Sequence, residues 1–383
     1  MYQSSELFSL ISFSMILILG TLGNGLVVYV YGFNGRKRRR FMKFERLMLM
    51  LGVVDFIASL TNPAYYIYQI VYKRAFHFGP ILCRIVPSLG PIFTSISLGI
   101  ILIMAIDRDR AVVTPFKTQF KLKDIYKGVM ITVVLCILLT IPYIYYLRIW
   151  DYGTKKICQA DSDSTYDVMI ILIFLTSDIL FISIFAFTTI RICRKLKAKD
   201  IIECPKMKEY RARETNRILK IIIAMGVLFV ICVFPRDMLL TSFSFTQLVP
   251  PPINFTTAHK ANLVLKVLHT SNSCVNVILY SCLNKKFRKA IFNILMKNKK
   301  LRKVFLKRYP TYVRDTDSYD NNSTVVSTNG SLPRSARNSA RSSPRCSPRN
   351  SLVRVDNDLR MEKCSQTLLK HVLTKPLYME TKN

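Results

Sequence analysis

The sequence is short of the residues on which most enzymes depend. Its four histidines, His77, His259, His269 and His371, are scattered along 383 residues, and no Cys-His pair has metal-ligand spacing. No Gly-rich phosphate loop occurs among the 13 glycines. These absences argue against metal, nucleophilic and nucleotide chemistry, and no enzyme is expected. Acidic side chains are also few, 23 against 56 Lys and Arg, for a formal net charge of +33. In a soluble chain that balance would point to nucleic acid, because clustered cations neutralise phosphates and release counterions. No small-residue cleavage pattern follows any apolar segment, so no removable leader is expected.

Apolar residues are what the chain has in quantity. They make up 50% of it, and the mean hydropathy is +0.25, too apolar for an ordinary soluble domain. Seven segments, 7–31, 45–72, 81–106, 128–147, 167–190, 218–243 and 261–283, each approach the ~20 residues that a bilayer-spanning helix needs. The cations cluster in alternate connections, including Arg36 to Arg40, Lys117 to Lys127, Arg191 to Arg213 and Lys285 to Lys289, while the other connections carry few. The positive-inside rule then predicts a plasma-membrane, multi-pass chain with its N-terminus outside and its C-terminus in the cytoplasm. The cations would lie among anionic lipid headgroups, so no nucleic-acid partner is expected. The predicted fold class is an all-α membrane protein: a seven-transmembrane helix bundle with a short amphipathic eighth helix and a disordered C-terminal tail.

Four regions follow: an extracellular N-terminus over 1–6, the helix bundle over 7–284, a basic juxtamembrane helix over 285–309 and a tail over 310–383. In the third, Phe287, Ile291, Ile294 and Leu295 share a helical face opposite lysines, a pattern for lying on a lipid surface. The tail, rich in Ser, Arg, Pro and Asn, cannot bury enough apolar surface to offset chain entropy. Ser339, Ser343 and Ser347 stand near arginines there and are phosphorylation candidates. "NFT" at Asn254 is a glycosylation sequon.

Polar residues recur inside the apolar segments, where each is costly unless it faces protein, water or an ion. Asn24, Asp55, Ser97, Asn272, Ser273 and Asn276 could supply the oxygens a small hard cation takes, with Asp55 as the charge. The alternative is a hydrogen-bond network that joins helices. Of ten cysteines, Cys83 and Cys158 fall at predicted extracellular positions where a disulfide can persist, two free thiols being the alternative. Cys83 and Arg108 lie 25 positions apart on one segment, about 37 Å at helical rise, so they mark its two ends.

Those residues, in that order, resemble the rhodopsin-like (class A) family of G-protein-coupled receptors, with a peptide-receptor-like but divergent pattern. The likeness spans roughly residues 5 to 296: "GN" at Gly23-Asn24, "LGVVD" ending at Asp55, Cys83, Asp107-Arg108 with Pro115, "FVICVFP" from Phe229 to Pro235, and "NSCVNVILY" from Asn272 to Tyr280. It implies that Cys83 and Cys158 form a disulfide and that Asp55, Ser97, Asn272, Ser273 and Asn276 line a sodium pocket, the ion acting as an allosteric modulator with no other cofactor. It further implies a switch and coupling set of Asp107, Arg108, Phe229, Pro235 and Tyr280. A heterotrimeric G protein, arrestin and tail-directed kinases, and membrane lipids are the implied partners.

The pattern also departs from the family. Val277 replaces the usual proline of the seventh span, Val233 the usual tryptophan before Pro235, Asp109 the usual tyrosine after Arg108, and Phe187 is read at the place of the fifth-span tyrosine. A ligand cavity is expected among the outer halves of spans two, three, five, six and seven. Gly90 at the position of the amine receptors' aspartate disfavours a small amine. Tyr66, Gln69, Arg148, Asp178, Arg236, Asp237 and Lys266 are the ligand-binding candidates, suited to a peptide, such as a neuropeptide, or another carboxylate-bearing ligand, unless the four ions among Asp178, Arg236, Asp237 and Lys266 pair with one another. The altered positions leave a second function open, a non-signalling scavenger or atypical receptor that has lost coupling. A transporter or channel would show internal repeats or a continuous polar path, and neither is seen.

Overall fold

The structure, a computed structural model, describes residues 4–33, 43–114, 117–161, 163–197, 205–248, 255–284, 287–288 and 290–292. The chain divides into two units after Asn293, and every described residue lies in the first. Its long helices are α1 (Ser4–Val28), α2 (Lys43–Val71), α3 (Gly79–Val113), α4 (Leu122–Tyr146), α5 (Ser164–Lys197), α6 (Pro205–Leu248) and α7 (Phe255–Leu283), and α1 continues through a π-helical turn at Tyr29–Phe33. Six of them, α1 to α6, are long and apolar enough to cross a membrane. The seventh has spanning length but is more polar, because Lys266, His269, Asn272, Ser273 and Asn276 fall within it. Its transmembrane placement therefore rests on the family membership given below.

The helices outrun the predicted segments at nearly every end. Hydropathy marks only the stretch matched to hydrocarbon, whereas backbone hydrogen bonding continues into polar flanks such as Pro205 to Arg217 of α6. Helix α1 likewise begins at Ser4, ahead of the apolar segment that starts at residue 7. Prolines sit inside α2, α3, α4 and α6, at Pro63, Pro87, Pro91, Pro142 and Pro235. Neighbouring helices and side chains can satisfy the backbone groups such prolines free. At the start of α4 the Asp124 carboxylate accepts a hydrogen bond from the Lys121 amide at 2.7 Å, which closes the first turn.

The predicted all-helical bundle omits one element. Residues 147–160 form an antiparallel hairpin of β1 (Leu147–Asp151) and β2 (Lys156–Ala160), with Ile149 opposite Cys158. Its turn places Gly153 at φ +74°, and the Asp151 carboxylate accepts from the Gly153 amide at 2.9 Å. The hairpin also pairs with the α2–α3 connection, where the Phe76 amide donates to the Lys156 carbonyl at 2.8 Å. The Cys83–Cys158 disulfide joins it to α3. Arg148 and Asp161 form an ion pair at its base, 3.4 Å apart and half exposed.

Contacts run α7–α1–α2–α3 on one side and α3–α5–α6–α7 on the other, with α4 against α3 and α5. Helix α3 is the axis, touching α2, α4, α5, α6 and β1. The outward faces keep large apolar side chains exposed, including Ile11 and Leu22 on α1 and Met130, Val134 and Ile137 on α4, as expected of a surface that meets lipid. Where α1 meets α7 the approach requires glycine: a Cβ on Gly23 would lie 2.8 Å from Val277 Cγ1.

Candidate functional site

The polar residues of the apolar segments gather between α1, α2, α3 and α7. Asp55 is fully buried on α2. Ser97 of α3 donates its hydroxyl to Asp55 Oδ1 at 2.8 Å, and Asn276 of α7 donates Nδ2 to Oδ2 at 2.8 Å. One carboxylate thus joins three helices, in surroundings where a buried charge without such donors would be costly. Beside it, Asn24 of α1 donates Nδ2 to the Ser273 carbonyl at 2.9 Å, to the Gly20 carbonyl at 3.0 Å and to Ser59 Oγ at 3.4 Å. Of the five sodium-pocket candidates, Asp55, Ser97 and Asn276 are in direct contact. Asn272 and Ser273 are buried but form no hydrogen bond to Asp55 among the described residues, and Ser273 contributes its backbone carbonyl to Asn24 instead.

At the far end of α3, Asp107 is buried and holds Arg108, with Nη2 at 2.5 Å and Nε at 3.2 Å from Asp107 Oδ2. Next to this pair, Asp109 Oδ1 lies 3.6 Å from Arg191 Nε of α5, and the Arg191 guanidinium stands 5.2 Å from the Phe187 ring. Tyr280 is completely buried, edge-on to Phe287 at 6.2 Å, and its hydroxyl has no hydrogen-bond partner among the described residues. Phe287 in turn stacks on Tyr31 at 5.9 Å, while Asn284 donates to the Tyr31 hydroxyl at 3.0 Å and accepts from the Phe287 amide at 3.2 Å. Phe229 and Val233 of α6 are buried. Phe229 packs against Phe181 of α5, their ring centroids 5.5 Å apart.

A cavity of about 250 Å³ opens at the hairpin end of the bundle. Tyr66, Gln69 and Lys266, three of the ligand-binding candidates, line it with Lys73, Arg74 and Asn262. It lies between α1, α2 and α7, and so shares with the expected ligand cavity the outer halves of spans two and seven. Arg148, Asp178, Arg236 and Asp237 are not among its lining residues. Arg148 is committed to Asp161 on the hairpin, while Asp178 and Asp237 are buried within α5 and α6. The expected alternative, pairing among Asp178, Arg236, Asp237 and Lys266, is absent: no ion pair links these four among the described residues, and Asp178 Oδ2 and Arg236 Nε lack hydrogen-bond partners there.

A carboxylate shared by three helices, an Asp-Arg pair closing one end of α3 and a disulfide closing the other form a single pattern. The family described as 7 transmembrane receptor (rhodopsin family) matches residues 23–280, more than half of the chain. The chain belongs to that family. It is a multi-pass membrane receptor. It is 26% identical over 298 residues to the C-X-C chemokine receptor type 4 of Xenopus tropicalis, covering 73% of this chain and 76% of the relative. To the C-X-C chemokine receptor type 4-B of Xenopus laevis it is 25% identical over the same length and shares.

Membership of the rhodopsin family gives the departures a structural meaning. Helix α7 runs unbroken through Asn276-Val277, and Val277 packs against Gly23 of α1, so the position usually held by proline serves helix contact here. The reading of Phe187 as the fifth-span tyrosine's counterpart is corrected. Phe187 is 59% exposed, on the outward face beside Arg191, and the neighbouring Thr188 is the buried residue. A one-residue change of helical phase turns a side chain by about 100°, enough to move it from interior to lipid.

As for the implied sodium ion, Asp55 supplies one negative charge, and each carboxylate oxygen accepts one protein hydrogen bond, leaving lone pairs beside the Ser97 hydroxyl. That donor set fits a hard monovalent cation. Asn276 turns its N–H to the carboxylate and so orients it. Asn254 and Ser339, Ser343 and Ser347 lie outside the described residues, as do Ile294, Leu295 and the tail over 310–383. Sequence reasoning missed Asn262, Asn284 and the Asp109–Arg191 pair. Asn262 stands one helical turn before Lys266 and shared-face spacing could have found it; the other two depend on contacts between distant helices.

Proposed function

We propose that this rhodopsin-family receptor binds an extracellular ligand through its hairpin end and, on binding, favours an arrangement whose Arg108 end admits a heterotrimeric G protein. The observation that supports this reading most directly is the pair at the end of α3. Arg108 is only 18% exposed and is held by the buried Asp107 of its own helix. Releasing it would free a guanidinium at the mouth of the bundle, where a partner's carbonyls or carboxylates could take it. The hairpin end would be extracellular, in keeping with the disulfide there, and the Arg108 end cytoplasmic, in keeping with its cations.

Asp55 sits between these ends and is the proposed site of a sodium ion that favours one arrangement over the other. A ligand shifts such an equilibrium only by its difference in affinity for the two states. A peptide ligand is in line with the chemokine receptors the chain is similar to, and kinases and arrestin would act on the serine-rich tail. The test is guanine-nucleotide exchange on G proteins in membranes that carry the chain, measured across extracellular peptide fractions. Exchange is expected with the native chain and is expected to vanish in Arg108→Ala at equal surface expression. Exchange that survives in Arg108→Ala would remove Arg108 from this role. Absence of exchange at a ligand concentration that saturates binding would favour the non-signalling scavenger.

A further inference from the structure

The cavity at the hairpin end has a charge that its lining does not neutralise. Lys73, Arg74 and Lys266 face it against a single lining carboxylate, Glu6. Lys266 rises from α7 with its ammonium 5.3 Å from the Tyr66 ring centroid, and no ion pair among the described residues joins it to a carboxylate. An aromatic face compensates a desolvated ammonium only in part, and such a cation gains most from an anion that enters the site. Arg74, which lines the same cavity, and Arg236, which does not, both lie close enough to Lys266 to act on it electrostatically, so the ammonium sits in a positive field.

A second observation limits the anion. Asn262 lines the same cavity, and its buried Oδ1 has no hydrogen-bond partner among the described residues. It stands four positions before Lys266 on α7, about 6 Å along the helix axis. An unmatched acceptor beside an unmatched cation calls for a ligand that carries an N–H donor near a negative group. A third observation concerns the rim. Lys73 and Arg74 hold φ angles of 46° and 67°, left-handed values unfavourable for side chains of this kind. Strain of that type persists where the surrounding structure enforces it and is frequent at ligand clamps.

We propose that this cavity receives the free carboxylate of a peptide's C-terminal end, with Lys266 and Arg74 taking the carboxylate and Asn262 Oδ1 accepting the N–H of the terminal residue. This refines the receptor reading and rests on it. It commits the receptor to an anionic ligand end, and carboxamide-ended peptides should be excluded because they offer the cations no charge.

The experiment uses the full chain purified into lipid nanodiscs without G protein, so that failure of coupling cannot obscure it. Thermal stability is recorded with randomised tetrapeptides as free acids, with the same mixture as carboxamides, and with linear carboxylic acids that lack an N–H. Stabilisation by the free acids alone is expected, weakened about tenfold or more in apparent affinity by Lys266→Gln. Lys266→Arg should restore most of it, which separates loss of charge from misfolding. Asn262→Leu should weaken the peptide acids. Equal stabilisation by carboxamides, equal stabilisation by the acids without an N–H, no stabilisation by the peptide acids, or indifference to Lys266→Gln would each overturn the proposal.

Discussion

Asp55 shows how one residue type in one place constrains a whole bundle. A carboxylate in this interior is tolerated because Ser97 and Asn276 bring donors to it at 2.8 Å from two other helices, and removing either donor would leave a buried acceptor unmatched at a cost of about 1–3 kcal/mol. If sodium binds here, the stability of the purified chain rises with sodium and not with choline, by about 1.4 kcal/mol when the ion stands at tenfold its dissociation constant. The variant Asp55→Asn keeps the shape and loses the charge, so this dependence should disappear. A sodium response unchanged in Asp55→Asn would place the ion elsewhere or remove it from the account. That Asp55 needed partners was legible from its depth in an apolar segment. Which partners it has was less so: Asn272, Ser273 and Asn276 all lie within five positions on α7, yet only Asn276 reaches Oδ2, Ser273 being turned about 60° away from it and Asn272, nearly in phase, standing one turn or about 6 Å along the axis. Phe187 illustrates the same limit, since position along a segment gives depth while facing depends on a helical phase that no single residue fixes.

Between elements, the contacts that matter join helices far apart in the chain. The Asp109–Arg191 pair ties α3 to α5 beside Arg108, at a position where the family usually has tyrosine. Arg191 is 38% and Asp109 13% exposed at the side chain, so solvent screens the pair and its contribution is limited to about 0.2–1 kcal/mol. If this contact favours the arrangement described here, Arg191→Ala raises basal nucleotide exchange by up to about fivefold. The exchanged pair Asp109→Arg with Arg191→Asp returns it towards the native level. Equal basal exchange in all three chains would show the pair to be neutral. Such a contact could not be read from the sequence, because the two residues are separated by two turns of the bundle's path and neither belongs to a periodic pattern. The hairpin was missed for a related reason. Its strands are five residues each, at the end of an apolar run, and its pairing is fixed by the α2–α3 connection and by the disulfide more than by alternation.

For the whole molecule, class and organisation were the most legible features, because the apolar segments and the alternation of cations follow from the bilayer itself. The seventh helix was the exception in hydropathy and the most informative in function: its polar residues reach Asp55, contact α1 and line the cavity at the hairpin end. The charge of that cavity was only partly foreseen, since Lys73 and Arg74 enter it through a turn with left-handed backbone that no segment pattern signals. On the proposed reading these sites act on one equilibrium between two arrangements of the bundle. The most direct measurement is the distance between genetically encoded spin labels at Ala111 on α3 and Asn216 on α6, by double electron–electron resonance in nanodiscs. A distribution that shifts to longer distance with saturating ligand and G protein, and that no longer does so in Arg108→Ala, is the predicted result. A single distribution unchanged by ligand and G protein would contradict it.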